Sequence, residues 1–330
     1  MSNATSNLTS QTTSSKYRKG LPQRRDTLLS EGGLETTLIF HDGVDLPHFA
    51  SFVLLDSADG RARLERYYES YLALARRHGT GFLLDTATWR ANADWGAKLG
   101  YDADGLRRIN LAAVDLLLQL RACWETPDMR CVISGAIGPR GDGYKSGRMD
   151  AAEAEAYHRP QIETFAASAA DMVTAYTLTS VDEATGIARA AAAVAMPCAI
   201  SFTVETDGRL AGGGSLRSAI ETVDRATGAS PAYYMINCAH PAHFAQQLEV
   251  GEAWTQRIHG IRANSSTKSH AELDESTTLD AGDPADLGRR YRTLRRAFPA
   301  MRILGGCCGT DQRHIAAIGT ACFGFAAEAV

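Results

Sequence analysis

Met301-Arg302-Ile303-Leu304-Gly305-Gly306-Cys307-Cys308-Gly309 reads as a short strand running into a glycine turn that carries two adjacent thiols. Neighbouring cysteines do not readily bond to each other, so the pair is better suited to gripping a metal than to packing. A second strand-like run, Ala232-Tyr233-Tyr234-Met235-Ile236-Asn237-Cys238, also ends in a thiol and is followed by Ala239-His240-Pro241, a helix entry. Three thiolates with the fourth position open describe a catalytic zinc, because a structural site fills all four corners. The fold must then bring the ends of two distant strands to one place.

Working outward, short apolar runs alternate with longer helix-like stretches, and the alternation repeats eight times. The strands are expected at 28–31, 81–86, 130–136, 172–177, 198–202, 232–237, 258–262 and 301–304. Helical periodicity covers 61–78, 105–124, 151–170, 182–195, 216–227, 284–298 and a last segment from Asp311. Alternation of this kind requires a parallel sheet, and eight strands are what a closed (βα)8 TIM barrel needs. A doubly wound open sheet is the competing architecture. It is disfavoured because no Gly-x-Gly-x-x-Gly follows the first strand and the chemical residues follow many different strands.

The 330 residues suit one barrel, expected over 26–330, behind a Ser/Thr-rich tail expected to be disordered over 1–25. A transit peptide is the alternative for the tail, but no arginine-rich amphipathic pattern supports it. Apolar residues make up 45% and charged residues 22%, which permits a large core. The net charge of -4 with mixed signs implies no nucleic-acid partner, and no apolar run approaches a membrane span. A soluble, cytoplasmic protein is expected, with the oligomeric state, a homo-oligomer included, left open.

The seven cysteines, at 123, 131, 198, 238, 307, 308 and 322, do not resemble a disulfide framework. Cys123, Cys131, Cys198 and Cys322 are expected to act as small buried hydrophobes. His240, two residues past Cys238, is expected to point away from the thiols, and His314 to lie on the surface of the last helix.

Asn237-Cys238-Ala239-His240-Pro241, Gly305-Gly306-Cys307-Cys308-Gly309 and Gly32-Gly33-Leu34-Glu35-Thr36-Thr37-Leu38 together resemble the homocysteine S-methyltransferase family, and the resemblance runs from about 28 to about 318. It implies a zinc barrel in which Cys238, Cys307 and Cys308 bind Zn2+ and a thiol acceptor is methylated by a small-molecule donor, homocysteine giving methionine, as in methionine biosynthesis. Zinc suits that chemistry because the thiolate is the nucleophile and a free thiol, with pKa about 8.5, is mostly protonated at neutral pH. No cobalamin or folate module is expected beyond the barrel, so a sulfonium or betaine-type donor fits best.

Glu31 stands where the family usually has aspartate, and with Gly32 and Gly33 it is expected to receive the acceptor's ammonium group. Glu35 is a second carboxylate candidate or a solvated charge. Asp85, Thr86 and Trp89, in Asp85-Thr86-Ala87-Thr88-Trp89, are expected to line the pocket, with Trp89 offering a face to a cationic donor. Gly138-Pro139 shapes the rim, and Asn264 is expected to orient metal ligands. Tyr176 departs from the family, which carries a substrate-binding glutamate there; it is expected to hydrogen-bond a different thiol acceptor, to cap the zinc, or simply to fill the barrel top as an aromatic. Two alternatives stay open: a methyltransferase for another thiol or selenol, and an inactive zinc/thiol-binding barrel. A metal-dependent hydrolase is disfavoured because such barrels use His and carboxylate ligands.

Overall fold

The computed structural model describes residues 14–324 apart from 146, 148 and 277. Eight strands form: β1 (Leu28–Ser30), β2 (Gly81–Asp85), β3 (Cys131–Ile137), β4 (Met172–Leu178), β5 (Cys198–Phe202), β6 (Tyr233–Asn237), β7 (Ile258–Ala263) and β8 (Ile303–Gly306). They pair in sequence order, and β8 returns to β1 through Leu28 opposite Ile303 and Leu29 opposite Leu304, closing a parallel barrel. All eight lie within two residues of the expected bounds.

Side chains alternate across each strand. On β6, Tyr233 and Met235 fill the barrel with Leu28, Leu83, Val132, Met172 and Ile303. Tyr234 and Ile236, one residue out of phase, join the larger apolar layer beneath the helices. That layer is covered by α1 (Ala58–Arg77), α2 (Ala103–Trp124), α3 (Ala151–Ala166), α4 (Val181–Ala193), α5 (Leu216–Thr227), α6 (Pro284–Ala297) and α7 (Gln312–Phe323). Each begins on a Ser or Asp side chain that accepts a first-turn N–H: Ser57, Asp102, Asp150, Ser180, Ser215, Asp283 and Asp311. Between β6 and β7 the chain makes only the one-turn helix Pro241–Phe244 and 3-10 turns.

Residues 1–13 of the expected tail lie outside the described residues, but 14–25 do not behave as a tail. They fold under the barrel. Leu21 packs into the barrel interior, and Gln23, fully buried, donates from Nε2 to the Tyr233 hydroxyl at 3.1 Å. The Arg18 guanidinium donates to the carbonyls of Ala166, Ser168 and Ala170 at 2.9, 3.0 and 2.7 Å. The polar composition that suggested disorder is here matched to the carbonyls at the end of α3.

His314 also departs from expectation. It is fully buried, with Nδ1 3.0 Å from Asp311 Oδ1 and Nε2 2.7 Å from the Ala281 carbonyl, because it completes the capping box that starts α7. Cys131 and Cys198 are buried, Cys322 is half-buried and Cys123 is exposed, so the last is not a core residue.

Candidate functional site

The C-terminal ends of the strands open on a cavity of about 590 Å³ bordered by Glu31, Asp85, Tyr176, Asn237 and the three rim cysteines. β6 delivers Cys238 and β8 delivers Cys307 and Cys308. Their backbones are fixed to neighbouring strands: Cys238 N–H donates to the Arg262 carbonyl at 3.1 Å and Cys307 N–H to the Ala263 carbonyl at 2.8 Å. The glycines around them are needed for close approach. A Cβ on Gly305 would lie 1.9 Å from Ser30 Oγ, and Gly309 combines a φ of +79° with a neighbour, Ser265 Oγ, 2.0 Å from where its Cβ would be.

The three sulfurs lie within 4.8 Å of one another. Cys238 and Cys307 are joined as a disulfide, with Cα atoms 5.4 Å apart, and Cys308 Sγ stands 4.0 Å from Cys238 Sγ. Tetrahedral zinc with Zn–S bonds of about 2.3 Å separates its sulfurs by about 3.8 Å. The Cys238–Cys308 spacing already matches, and reduction of the Cys238–Cys307 bond frees the third thiolate, so the donor set fits a three-sulfur metal site. His240 takes no part. Its Nδ1 accepts from Ala242 N–H at 3.2 Å, and burial holds its pKa down at about 4.

A polar frame surrounds the sulfurs. Asn237 Nδ2 donates to Thr177 Oγ1 at 2.9 Å and stands 3.9 Å from Cys307 Sγ, while Thr177 Oγ1 is 3.8 Å from Cys238 Sγ. Thr177 and Cys238 both occupy the left-handed region, at φ +61° and +52°, uncommon for residues with side chains. The Cys238 carbonyl accepts from Asn264 Nδ2 at 3.1 Å and from Thr203 Oγ1 at 3.3 Å, and lies 2.6 Å from His270 Nε2. Asn264 thus touches the Cys238 main chain rather than its sulfur. Tyr144 reaches in from the β3–α3 connection, its hydroxyl 3.5 Å from Cys308 Sγ and its ring stacked 4.2 Å from that of His270.

Glu31 and Asp85 are buried side by side at the ends of β1 and β2. Arg262, at the end of β7, bridges them, with Nη1 2.9 Å from Glu31 Oε1 and 2.6 Å from Asp85 Oδ2. Burial pushes the Glu31 carboxyl up to about 7; Asp85 adds to the rise and Arg262 opposes it. Burial raises Asp85 too, against Arg262 and Tyr176. Tyr176 does not reach a thiol with its hydroxyl: the phenol donates to Asp85 Oδ2 at 2.6 Å. Of the remaining expected residues, Thr86 uses its hydroxyl on Thr88 (2.6 Å) and the Ala136 N–H (2.9 Å), and Trp89 carries the Arg90 guanidinium 4.1 Å from its ring centre. Gly33 has no room for a side chain, since its Cβ would stand 2.6 Å from the Cys307 carbonyl. Glu35 is not a solvated charge, because Ser51 Oγ donates to it at 2.7 Å and burial raises its pKa.

Arg262, Thr177, Tyr144 and His270 were not singled out by the sequence. Arg262 alone carried a signal: a charge at the C-terminal end of a barrel strand faces the site.

The fold and this rim define a (βα)8-barrel enzyme with a three-thiol centre. The sequence profile of the homocysteine S-methyltransferase family matches residues 28–322, and the chain belongs to that family, whose chemistry is thiol methylation. A homocysteine S-methyltransferase of Escherichia coli (strain K12) is 26% identical over 249 residues, covering 71% of this chain and 77% of the relative. Among solved structures, the homocysteine methyltransferase MmuM from Escherichia coli superposes in its oxidized form with a TM-score of 0.70 at 22% identity, over 92% of this chain and 99% of that one. Its metallated form gives 0.67 at 21% identity, over 90% and 96%. At these identities the superpositions establish a shared fold.

Proposed function

We propose that this enzyme transfers a methyl group from a small sulfonium or betaine-type donor to a thiol, homocysteine giving methionine, with zinc held by Cys238, Cys307 and Cys308. The observation that carries the reading is the gathering of three sulfurs within 4.8 Å at the wall of a cavity that Glu31 also borders. Zinc, when bound there, lowers the proton affinity of an incoming thiol and holds it as a nucleophile.

The protein's own groups orient the reactants. Glu31 meets the acceptor's ammonium, while Asn237, Thr177 and Asn264 keep the rim thiols in place. The acceptor thiol loses its proton to solvent, and its sulfur attacks the donor's methyl carbon. The carbon–sulfur or carbon–nitrogen bond to the donor breaks, and its electron pair stays on the donor atom, which becomes neutral.

The test is methyl transfer into homocysteine by zinc-loaded protein, offered S-methylmethionine, S-adenosylmethionine or betaine in turn. Methionine formed from one donor supports the reading, and no methionine from any of them sinks it. A different thiol or selenol acceptor is the second reading, favoured by Tyr176, whose phenol supplies no negative charge to the pocket.

A further inference from the structure

The acceptor end of the cavity holds a charge arrangement that a three-thiol centre does not by itself require. Arg262 uses all five of its donors inside the protein. Nη1 donates to Asp85 Oδ2 at 2.6 Å and to the Tyr176 hydroxyl at 3.4 Å while standing 2.9 Å from Glu31 Oε1, Nε donates to the Gly306 carbonyl at 3.1 Å, and Nη2 donates to the carbonyls of Gly32 and Glu31 at 3.3 and 3.4 Å. A guanidinium so engaged has no fork left for a substrate carboxylate. Its work is electrostatic. With both carboxylates ionised, the pair carries one more negative charge than the single guanidinium offsets, and a buried unpaired charge is costly.

The geometry marks which carboxylate oxygen lacks a partner. Glu31 Oε2 is buried and has no hydrogen-bond partner, although Glu31 borders the cavity that holds the sulfurs. Asp85 is steadied from β3 by the Ser134 hydroxyl, which also pairs with Thr174 Oγ1 at 2.8 Å. Tyr176 fixes the arrangement from β4, donating to Asp85 Oδ2 and placing its ring 5.1 Å from the guanidinium carbon.

We propose that Arg262 and Asp85 determine the acceptor's specificity: by pairing with each other and with Glu31 they leave the cluster one positive charge short and Glu31 Oε2 free, so that the pocket takes a thiol bearing one ammonium group and discriminates against its deaminated counterpart. The inference rests on the thiol-methylation reading of the cavity. Arg262 and Asp85 are positioning residues, and Glu31 makes the contact. The charge count explains why three groups are needed. Without Arg262 the two carboxylates would call for two positive charges or retain a proton, and without Asp85 the remaining ion pair would call for none. A chain with the neutral Tyr176 on β4 thereby keeps a claim on an amine.

Calorimetric titration of zinc-loaded protein with L-homocysteine and with 4-mercaptobutanoate, which lacks only the amine, needs neither a donor nor turnover. Wild-type protein is expected to favour homocysteine about ten- to a hundredfold, the range of a hydrogen bond to a charged group. Asp85→Asn keeps acceptor capacity for Tyr176 and Arg262 but cancels the net charge, so the preference should fall to within about threefold, through weaker homocysteine binding with 4-mercaptobutanoate unchanged or tighter. A merely structural role for Asp85 would weaken both ligands together and overturn the proposal, as would equal affinities in the wild type. Binding of neither ligand would overturn the acceptor reading as well, which separates the two failures. Arg262→Met should raise the affinity for homocysteine relative to 4-mercaptobutanoate above pH 8, and where that variant does not fold, the Asp85→Asn ratio decides alone.

Discussion

Asn237 and Thr177 are locked to each other by two hydrogen bonds: the Thr177 N–H donates to Asn237 Oδ1 at 2.9 Å, and Asn237 Nδ2 donates to Thr177 Oγ1 at the same distance. Ser201 Oγ steadies the amide with a third, at 2.6 Å. This clamp spans β4, β5 and β6 and holds Thr177 and Cys238 in left-handed conformations, each of which costs on the order of 1 kcal/mol or more. Asn237→Ala should release both residues and lower zinc affinity about ten- to a hundredfold with the helical signal unchanged. Competition against a chromophoric chelator measures it, and an unaltered affinity would show that the clamp does not serve the metal.

The Glu31 carboxyl supplies a pH dependence. Burial and Asp85 raise it to about 7 against the pull of Arg262, and binding an ammonium requires the ionised form. Homocysteine affinity should therefore climb as pH rises toward 7 and level off above it, and Glu31→Gln should abolish that inflection. The stability effect has the opposite sense. A carboxyl raised in the folded state contributes stability below its unfolded value of 4.5, and that contribution is lost as pH rises through 7. Ligand-free wild type should thus lose stability relative to Glu31→Gln over that window. Urea titrations at pH 5 and pH 8 compare the two; parallel curves would contradict the assignment.

The N-terminal segment should behave as part of the barrel. Removing residues 1–23 takes Leu21 and Gln23 out of the barrel floor and the Arg18 guanidinium off three carbonyls. Leu21 alone is worth about 2 kcal/mol or more on deletion, so the urea midpoint should fall clearly. Equal midpoints for the deletion and the full chain would mean that residues 14–23 do not pack as described.

How much of this the sequence disclosed follows from where each signal lies. Parallel strands are buried on both faces and appear as continuous apolar runs, so all eight were readable locally. The thiols were readable because two short motifs carried them. Arg262 was not, since its meaning depends on Glu31 and Asp85, 231 and 177 positions away. Composition suggested a tail through residue 25, yet Arg18 is satisfied by carbonyls that come together only in the folded barrel. His314 was expected at the surface because helical spacing does not reveal that the Ala281 loop lies against it. Tyr176 stood out as a departure, but its actual partner, Asp85, lies 91 positions away on another strand.

Thiol activation requires the three rim sulfurs to hold zinc and to admit the acceptor's sulfur beside them. X-ray absorption at the zinc edge of reduced, metal-loaded protein reads this directly, before and after homocysteine is added. Three sulfur ligands at about 2.3 Å, rising to four with homocysteine, is the expected outcome. A coordination shell dominated by nitrogen or oxygen, or a sulfur count that homocysteine leaves unchanged, would contradict thiol activation at Cys238, Cys307 and Cys308.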